Sequence, residues 1–231
     1  MNKTKWIIFS LIVVAFFGGI IWLSKNNDQN NTFNGDATRV IQEGQIADHA
    51  TGPAEQKVVL IEYGDFQCPG CGSMHEPVKM LTEKYKDKVT FVFRNLPLTN
   101  IHPNALAAAT AAEAAGLQGK FWEMHNLLYQ NQDAWINAPL TQREAVFADY
   151  AKQIGLNADQ FKTDLSDKRI TEKIARDRAT AKKFGADSTP TFVLNGVVIK
   201  GQDAVSAQAL AEKLDAAVSA AYPPTAEQPK Q

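Results

Sequence analysis

The first apolar feature runs from Trp6 to Leu23, eighteen residues without a charge (WIIFSLIVVAFFGGIIWL). As a helix rising ~1.5 Å per residue it would extend roughly 27 Å, enough for the hydrocarbon core of a bilayer. Lys3 and Lys5 precede it, and Trp6 and Trp22 stand at its ends. That pattern predicts an inside amino terminus and interfacial tryptophans. A cleaved signal peptide is the alternative, but the run exceeds the usual ~7–15 apolar residues and no Ala-x-Ala site follows it. Residues 1–25 therefore read as a retained membrane anchor spanning 6–23, with the remainder exported. Polarity then switches. Lys25 to Asp36 (KNNDQNNTFNGD) is Asn-rich and almost free of apolar side chains, too little apolar surface to fold. Residues 26–56 read as a tether leading into the domain, and residues 222–231 as a disordered tail.

Between these ends the pattern alternates between strand and helix. Lys57 to Tyr63 (KVVLIEY) is a β-branched apolar run, the look of a buried strand. Gly64 and Asp65 end it, and a helical pattern with Met74, Val78 and Leu81 on one stripe runs from Pro69 to about Tyr85. Val89 to Arg94 (VTFVFR) is the next strand, so a β-α-β unit with a parallel pair is predicted. A helical block follows: His102 to Ala115, rich in alanine; a helix marked by Phe121, Met124 and Leu128; one capped by Thr141 and stopped by Gly155; a short one over 159–165; and Asp167 to Phe184, stopped by Gly185. The last carries seven basic and three acidic residues, read as a solvated face. Thr191–Leu194 and Val197–Lys200 flank Asn195-Gly196, a strong hairpin signal. A final amphipathic helix is predicted from Ala204 to Ala220.

Composition narrows the function classes. The 231 residues are 45% hydrophobic and 21% charged with a formal net charge of −1, ordinary for an α/β globular domain. The basic excess of a nucleic-acid binder is missing. Two cysteines, Cys68 and Cys71, are too few for a disulfide-stapled miniprotein or an all-cysteine zinc site.

Those two cysteines carry the chemistry. In Cys68-Pro69-Gly70-Cys71, Pro69 suits the first helical turn and makes Cys68 the N-cap. A sulfur there lies at the positive end of the helix, which favours the attacking thiolate. Cys71, one turn on, can resolve a mixed disulfide. An inert staple would restrain the unfolded chain little, because its loop is tiny. Cys68, Cys71 and His75 share a helix face, but zinc needs a further ligand or an open position, and His49, His102 and His125 have no ligand spacing. No metal and no cofactor are expected. Glu62, six residues before Cys68 within the apolar strand, is a candidate for a raised pKa and proton exchange with Cys71. His75 and His102 read as structural.

The segment from Glu62 to Cys71 (EYGDFQCPGC) is similar to the active-site segment of DsbA-like thiol:disulfide oxidoreductases, in particular the membrane-tethered branch typified by BdbD. The chain also resembles that family at Phe93–Leu98, His102–Ala105, Gly119–His125 and Ser188–Gly196, in the family's order across residues 57–215. The resemblance implies a thioredoxin fold from residues 57–94 and 186–221, interrupted by a helical insertion over 95–185. It also implies a cis-Pro190 opposite the cysteines. Pro69, Gly70, Thr189 and Pro190 would then form the substrate-binding surface. The Pro-Gly dipeptide departs from the Pro-His of the most oxidising members.

Three activities follow as expectations. The first is a dithiol oxidase that introduces disulfides into exported proteins with reduced cysteines. A membrane quinone-linked oxidase of the DsbB or VKOR kind would reoxidise it, and it would act as a monomer on the extracytoplasmic side of the cell membrane, where disulfides persist. The second is an extracytoplasmic reductase on the same fold. The third is a non-redox, peptide-binding or chaperone-like module.

Overall fold

The computed structural model describes residues 43–53 and 56–223, all within the unit that runs from Ala37 to Gln231. The apolar run 6–23, most of the tether and the tail from residue 224 lie outside the described residues. No helix among the described residues is long and apolar enough to cross a membrane.

The chain enters through a short strand, β1 (His49–Thr51), and continues into β2 (Val58–Gly64), α1 (Pro69–Lys84) and β3 (Val89–Asn95). Strands β2 and β3 are parallel, with Glu62 opposite Phe93, and α1 is the crossover. Both read as near-continuous apolar runs because both are central: β3 is buried throughout, and β2 at every position but Val59. The helical block follows as α2 (Ala105–Leu117), α3 (Phe121–Gln130), α4 (Gln132–Trp135), α5 (Leu140–Gln153), α6 (Ala158–Asp164) and α7 (Lys168–Lys183). The hairpin β4 (Thr191–Leu194) and β5 (Val197–Ile199) returns to the sheet, and a 3-10 turn (Gly201–Val205) leads into α8 (Ala207–Ala221). The sheet order is β1-β3-β2-β4-β5, with β1 antiparallel to β3 and β4 antiparallel to β2.

Side-chain alternation sorts the core. Val58 and Leu60 pack with Met74 and Val78 of α1 and Leu210 and Leu214 of α8. Ile61, Tyr63 and Val92 face Ala181 and Ala186 on the other side. The alanines of α2 lie buried against Phe121, Met124, Leu128 and Trp135, a close approach that larger side chains would prevent. Gly155 and Gly185 end α5 and α7 with φ of +77° and +63°, values that glycine reaches without strain.

Three helix starts differ from the sequence expectation. The helix read from His102 begins at Ala105, because His102 precedes Pro103, a position that disfavours helical backbone. The helix assigned a Thr141 cap begins at Leu140. Pro139 is its N-cap, with its carbonyl accepting from the N–H groups of Gln142 and Arg143. The last helix starts at Ala207 rather than Ala204, since Ser206 caps it by accepting from the Ala209 N–H at 3.2 Å.

Inside the fold lies an ionic cluster. Lys173 Nζ is 2.7 Å from Asp177 Oδ2, 3.4 Å from Asp48 Oδ1 and 3.9 Å from Glu113 Oε1. Arg94 NH2 donates to Asp48 Oδ2 at 2.8 Å, and Asn95 Nδ2 donates to Glu113 Oε1 at 2.6 Å. His49 Nε2 meets Glu113 Oε2 at 2.8 Å, its ring stacked on Phe121. The cluster ties the segment before β1 to β3, α2 and α7. The predicted solvated face of α7 thus holds only in part, since Lys173 and Asp177 are fully buried.

Candidate functional site

The site begins where β2 ends. Gly64 must be glycine: a Cβ there would lie 2.4 Å from the Phe93 ring and 3.0 Å from the Tyr129 hydroxyl. Asp65 then turns the chain. Its Oδ1 accepts from the Gln67 N–H at 2.8 Å, and its carbonyl accepts from the Cys68 N–H at 3.0 Å. Asp65 Oδ2 accepts from the Leu98 N–H and meets His102 Nδ1, both at 2.8 Å. The turn delivers Cys68 in extended conformation as the N-cap of α1, with Pro69 at its start. Pro69 lacks an N–H where none would be paired within the helix.

The helical block clasps this loop. Gln132 Nε2 donates to the carbonyls of Phe66 and Cys68 at 2.8 and 2.9 Å. Gln67 Nε2 donates to the Ile136 carbonyl, while Gln67 Oε1 accepts from the Asn104 N–H.

Both cysteines are free thiols. Cys68 is 9% exposed and Cys71 fully buried. A hydrogen bond from the Cys71 thiol brings the Cys68 thiol down to about 5; the N–H groups of Cys71 and Gly70 add to this while burial opposes it. Burial pushes Cys71 the other way, well above its ordinary value, and the Cys68 and Glu62 charges reinforce the shift. The Asp65 N–H points to Cys71 Sγ at 3.5 Å and partly offsets the rise. The pair therefore consists of a thiolate that just reaches the surface and a fully buried thiol. That asymmetry allows Cys68 to attack or be attacked while Cys71 holds its proton.

The remaining sequence-predicted residues converge here. As a thiol, Cys68 Sγ donates to the Thr189 carbonyl at 3.2 Å. The Thr189–Pro190 peptide is cis. A Cβ on Gly70 would come within 3.2 Å of Pro190 Cδ, so glycine there permits the close approach of the two segments. Glu62 is 4% exposed on β2, and burial, followed by the Cys68 charge, raises its carboxyl to about 8. His75 packs against Tyr129 and His125. Among the described residues, no three His, Cys, Asp or Glu side chains are arranged to hold a metal ion.

Sequence reasoning missed Asp65, Gln132, His125 and Tyr129. Asp65 carried a signal, an acid directly after a strand-ending glycine. The apolar stripe of α3 located the face on which His125 and Tyr129 lie. Gln132 had none, since its partners are 64 and 66 residues away.

A family model described as Thioredoxin matches residues 45–216. Over 183 residues the chain is 40% identical to a Salinispora arenicola protein named Na(+)/H(+) antiporter NhaA 1, covering 79% of this chain and 26% of that one. It is 44% identical over 149 residues to Na(+)/H(+) antiporter NhaA 3 of Salinispora tropica, covering 64% and 22%. The chain thus spans about a quarter of the length of these curated relatives. Among solved structures, a thioredoxin-like oxidoreductase from Silicibacter pomeroyi DSS-3 is 28% identical with a TM-score of 0.61, covering 74% of this chain and 91% of that one. Oxidised BdbD from Bacillus subtilis is 22% identical with a TM-score of 0.61, covering 74% and 93%. Alpha-DsbA1 from Wolbachia pipientis is 23% identical with a TM-score of 0.66, covering 75% and 92%. At those identities the last two bear on the fold alone.

Proposed function

The chain belongs to the thioredoxin family, and on that premise we propose that it is an exported thiol:disulfide oxidoreductase working as a dithiol oxidase. One observation carries the reading: Cys68, at the start of α1, is held as a thiolate with its thiol brought down to about 5, beside a buried Cys71. A stabilised thiolate stabilises the reduced pair, which makes the oxidised pair a stronger oxidant.

The cycle uses residues already in place. A substrate thiolate attacks Cys68 Sγ of the Cys68–Cys71 disulfide, and Cys71 leaves. A second substrate thiolate then attacks the substrate sulfur of the mixed disulfide, releasing Cys68 as a thiolate and the substrate as a disulfide. The Thr189 carbonyl and Pro190 flank the reacting sulfur on one side, and Pro69 and Gly70 form the other wall for an extended substrate chain. Glu62 exchanges a proton with Cys71.

The Trp6–Leu23 run, read as a single-pass anchor, supports a place on the extracytoplasmic face of the cell membrane, as in the BdbD-type branch. A quinone-linked membrane oxidase of the DsbB or VKOR kind would restore the disulfide. The antiporter activity in the relatives' names is not carried into this reading, since the chain spans about a quarter of their length.

The test is the equilibrium of the Cys68–Cys71 pair in the full-length chain against a glutathione buffer. A potential near ≈ −120 mV, the DsbA value, is expected; one near ≈ −270 mV, the thioredoxin value, would make the protein a reductase. No redox equilibrium at all would leave a peptide-binding module.

A further inference from the structure

The Asp65 carboxylate makes more bonds than its turn requires. The turn after β2 needs one acceptor, and Asp65 Oδ1 supplies it to the Gln67 N–H at 2.8 Å. The other oxygen reaches across the fold. Asp65 Oδ2 accepts from the Leu98 N–H and meets His102 Nδ1, both at 2.8 Å and from residues 33 and 37 positions further along the chain. A carboxylate only accepts, so Nδ1 carries the hydrogen and donates. Leu98 and His102 are the two ends of one turn, closed by the His102 N–H donating to the Leu98 carbonyl at 2.9 Å. One oxygen is thus gripped from both ends of that turn. Asp65 is 1% exposed, and its backbone touches both cysteines. Its carbonyl accepts from the Cys68 N–H at 3.0 Å, and its N–H points to Cys71 Sγ at 3.5 Å. The His102 ring is 17% exposed and lines an open groove beside Pro69, Ile101 and Ile136, so it can be replaced without opening the core.

We infer that His102 and the Asp65 carboxylate are positioning residues that hold the Asp65 N–H on Cys71 Sγ, where it meets the charge that leaves when the disulfide opens. The inference rests on the oxidoreductase reading above and adds to it the group that stabilises the departing sulfur. A substrate thiolate forms a bond to Cys68 Sγ, the Cys68–Cys71 bond breaks, and its electron pair leaves on Cys71 Sγ. Negative charge thus moves from the substrate sulfur to a fully buried one. A neutral sulfur is a weak acceptor, and a hydrogen bond to an ionised acceptor is about twice as strong as a neutral one. The Asp65 N–H therefore does little for the disulfide or for the thiol, and most for the state in between. A donor fixed before the reaction costs no reorganisation as the charge arrives. The return step, in which the Cys71 thiolate attacks Cys68, passes through the same transition state and uses the same donor.

The test separates the donor at His102 from the space its ring fills. His102→Phe keeps a ring and removes the donor, while His102→Asn keeps an N–H near the Nδ1 position. The oxidised full-length chain is mixed with reduced glutathione, and formation of the mixed disulfide at Cys68 is followed by acid quenching and mass measurement. His102→Phe is expected to slow that step about tenfold, and His102→Asn to bring it back within about threefold of the parent. Two further readouts should not move. The equilibrium constant with glutathione should stay within about twofold, because Cys71 is neutral in both end states. Alkylation of the reduced Cys68 thiolate by iodoacetamide should keep the parent rate, since it puts no charge on Cys71. If His102→Phe does not fold, His102→Ala carries the test. A folded donor-free variant within about twofold of the parent overturns the inference. So do His102→Phe and His102→Asn variants that are equally slow, or an alkylation rate or equilibrium constant that falls in step with disulfide opening, since each marks a disturbed loop instead of a misplaced donor. A parent chain that exchanges nothing with glutathione would sink the oxidoreductase reading and the inference with it; exchange that the variants leave unslowed sinks the inference alone.

Discussion

Glu62 lies within the field of the Cys68 sulfur, and the two groups are shifted in opposite directions, Cys68 down to about 5 and Glu62 up to about 8. In the reduced protein their effects on stability therefore oppose one another. Between pH 5 and 9 the unfolded state carries the Cys68 proton and the folded state does not, so stability rises with pH. Between pH 4.5 and 8 the folded state carries the Glu62 proton and the unfolded state does not, so stability falls. Each slope is about 1.4 kcal/mol per pH unit.

Glu62→Gln should expose the Cys68 slope. His125 and His75, both depressed, add a rise below about pH 6.5 in either protein, so the comparison belongs between pH 6.5 and 8. Over that window urea denaturation should find the reduced parent nearly flat. The reduced variant should gain about 2 kcal/mol. Parallel profiles would remove Glu62 from the field of the thiols.

Thiolate absorbance of the reduced protein at 240 nm should titrate with a midpoint near pH 5. Two pH units of thiolate stabilisation at pH 7 amount to about 2.7 kcal/mol, or roughly 60 mV toward a more oxidising pair. A midpoint above pH 8 would withdraw the observation on which the oxidase reading stands.

Cys71→Ala should accumulate a mixed disulfide at Cys68 when it meets a protein substrate that already holds a disulfide, because the Cys68 thiolate opens that bond and the resolving thiol is gone. Cys68→Ala should accumulate none, since Cys71 is buried. Non-reducing electrophoresis after acid quenching distinguishes them, and adducts on Cys71 alone would reverse the assignment of roles.

Gly64→Ala should destabilise the fold by about 1–3 kcal/mol. The added methyl meets the Phe93 ring at 2.4 Å, and Phe93 is fully buried with no room to retreat. Chemical denaturation measures the loss.

Lys173→Met should cost about 3–5 kcal/mol. It leaves Asp177, Asp48 and Glu113 facing one another without the ammonium that holds Glu113 below its usual range against the opposing effect of burial. Loss of less than about 1 kcal/mol would show that Arg94 alone balances the cluster.

The parts that the sequence made legible share a physical cause. Strands β2 and β3 are central and parallel, so they appear as unbroken apolar runs. The β4–β5 hairpin appears in Asn195-Gly196, whose φ values of 48° and 83° only a few residues tolerate. Cys68 and Cys71 were legible because their chemistry is local, fixed by one helix turn. Strand β1 was not: His49-Ala50-Thr51 has no strand pattern of its own and pairs because β3 offers an edge. Gln132, His125 and Tyr129 escaped for a related reason. Each acts on a loop some sixty residues away in the chain, through an approach that only the packed helices create.

The ionic cluster beneath β1 has a mechanical consequence. Any tension on the chain ahead of Glu43 meets the domain at Ile46, whose carbonyl accepts from Arg176 at 2.8 Å, and then at Asp48 and β1, on the rim of the sheet. Asp48 is clamped there by Arg94 and Lys173, so the load passes into β3 and α7. The strand that carries the cysteine loop lies inboard of that rim, flanked by β3 and β4. The domain is gripped at its margin, and its reacting sulfurs stand clear of the line of pull.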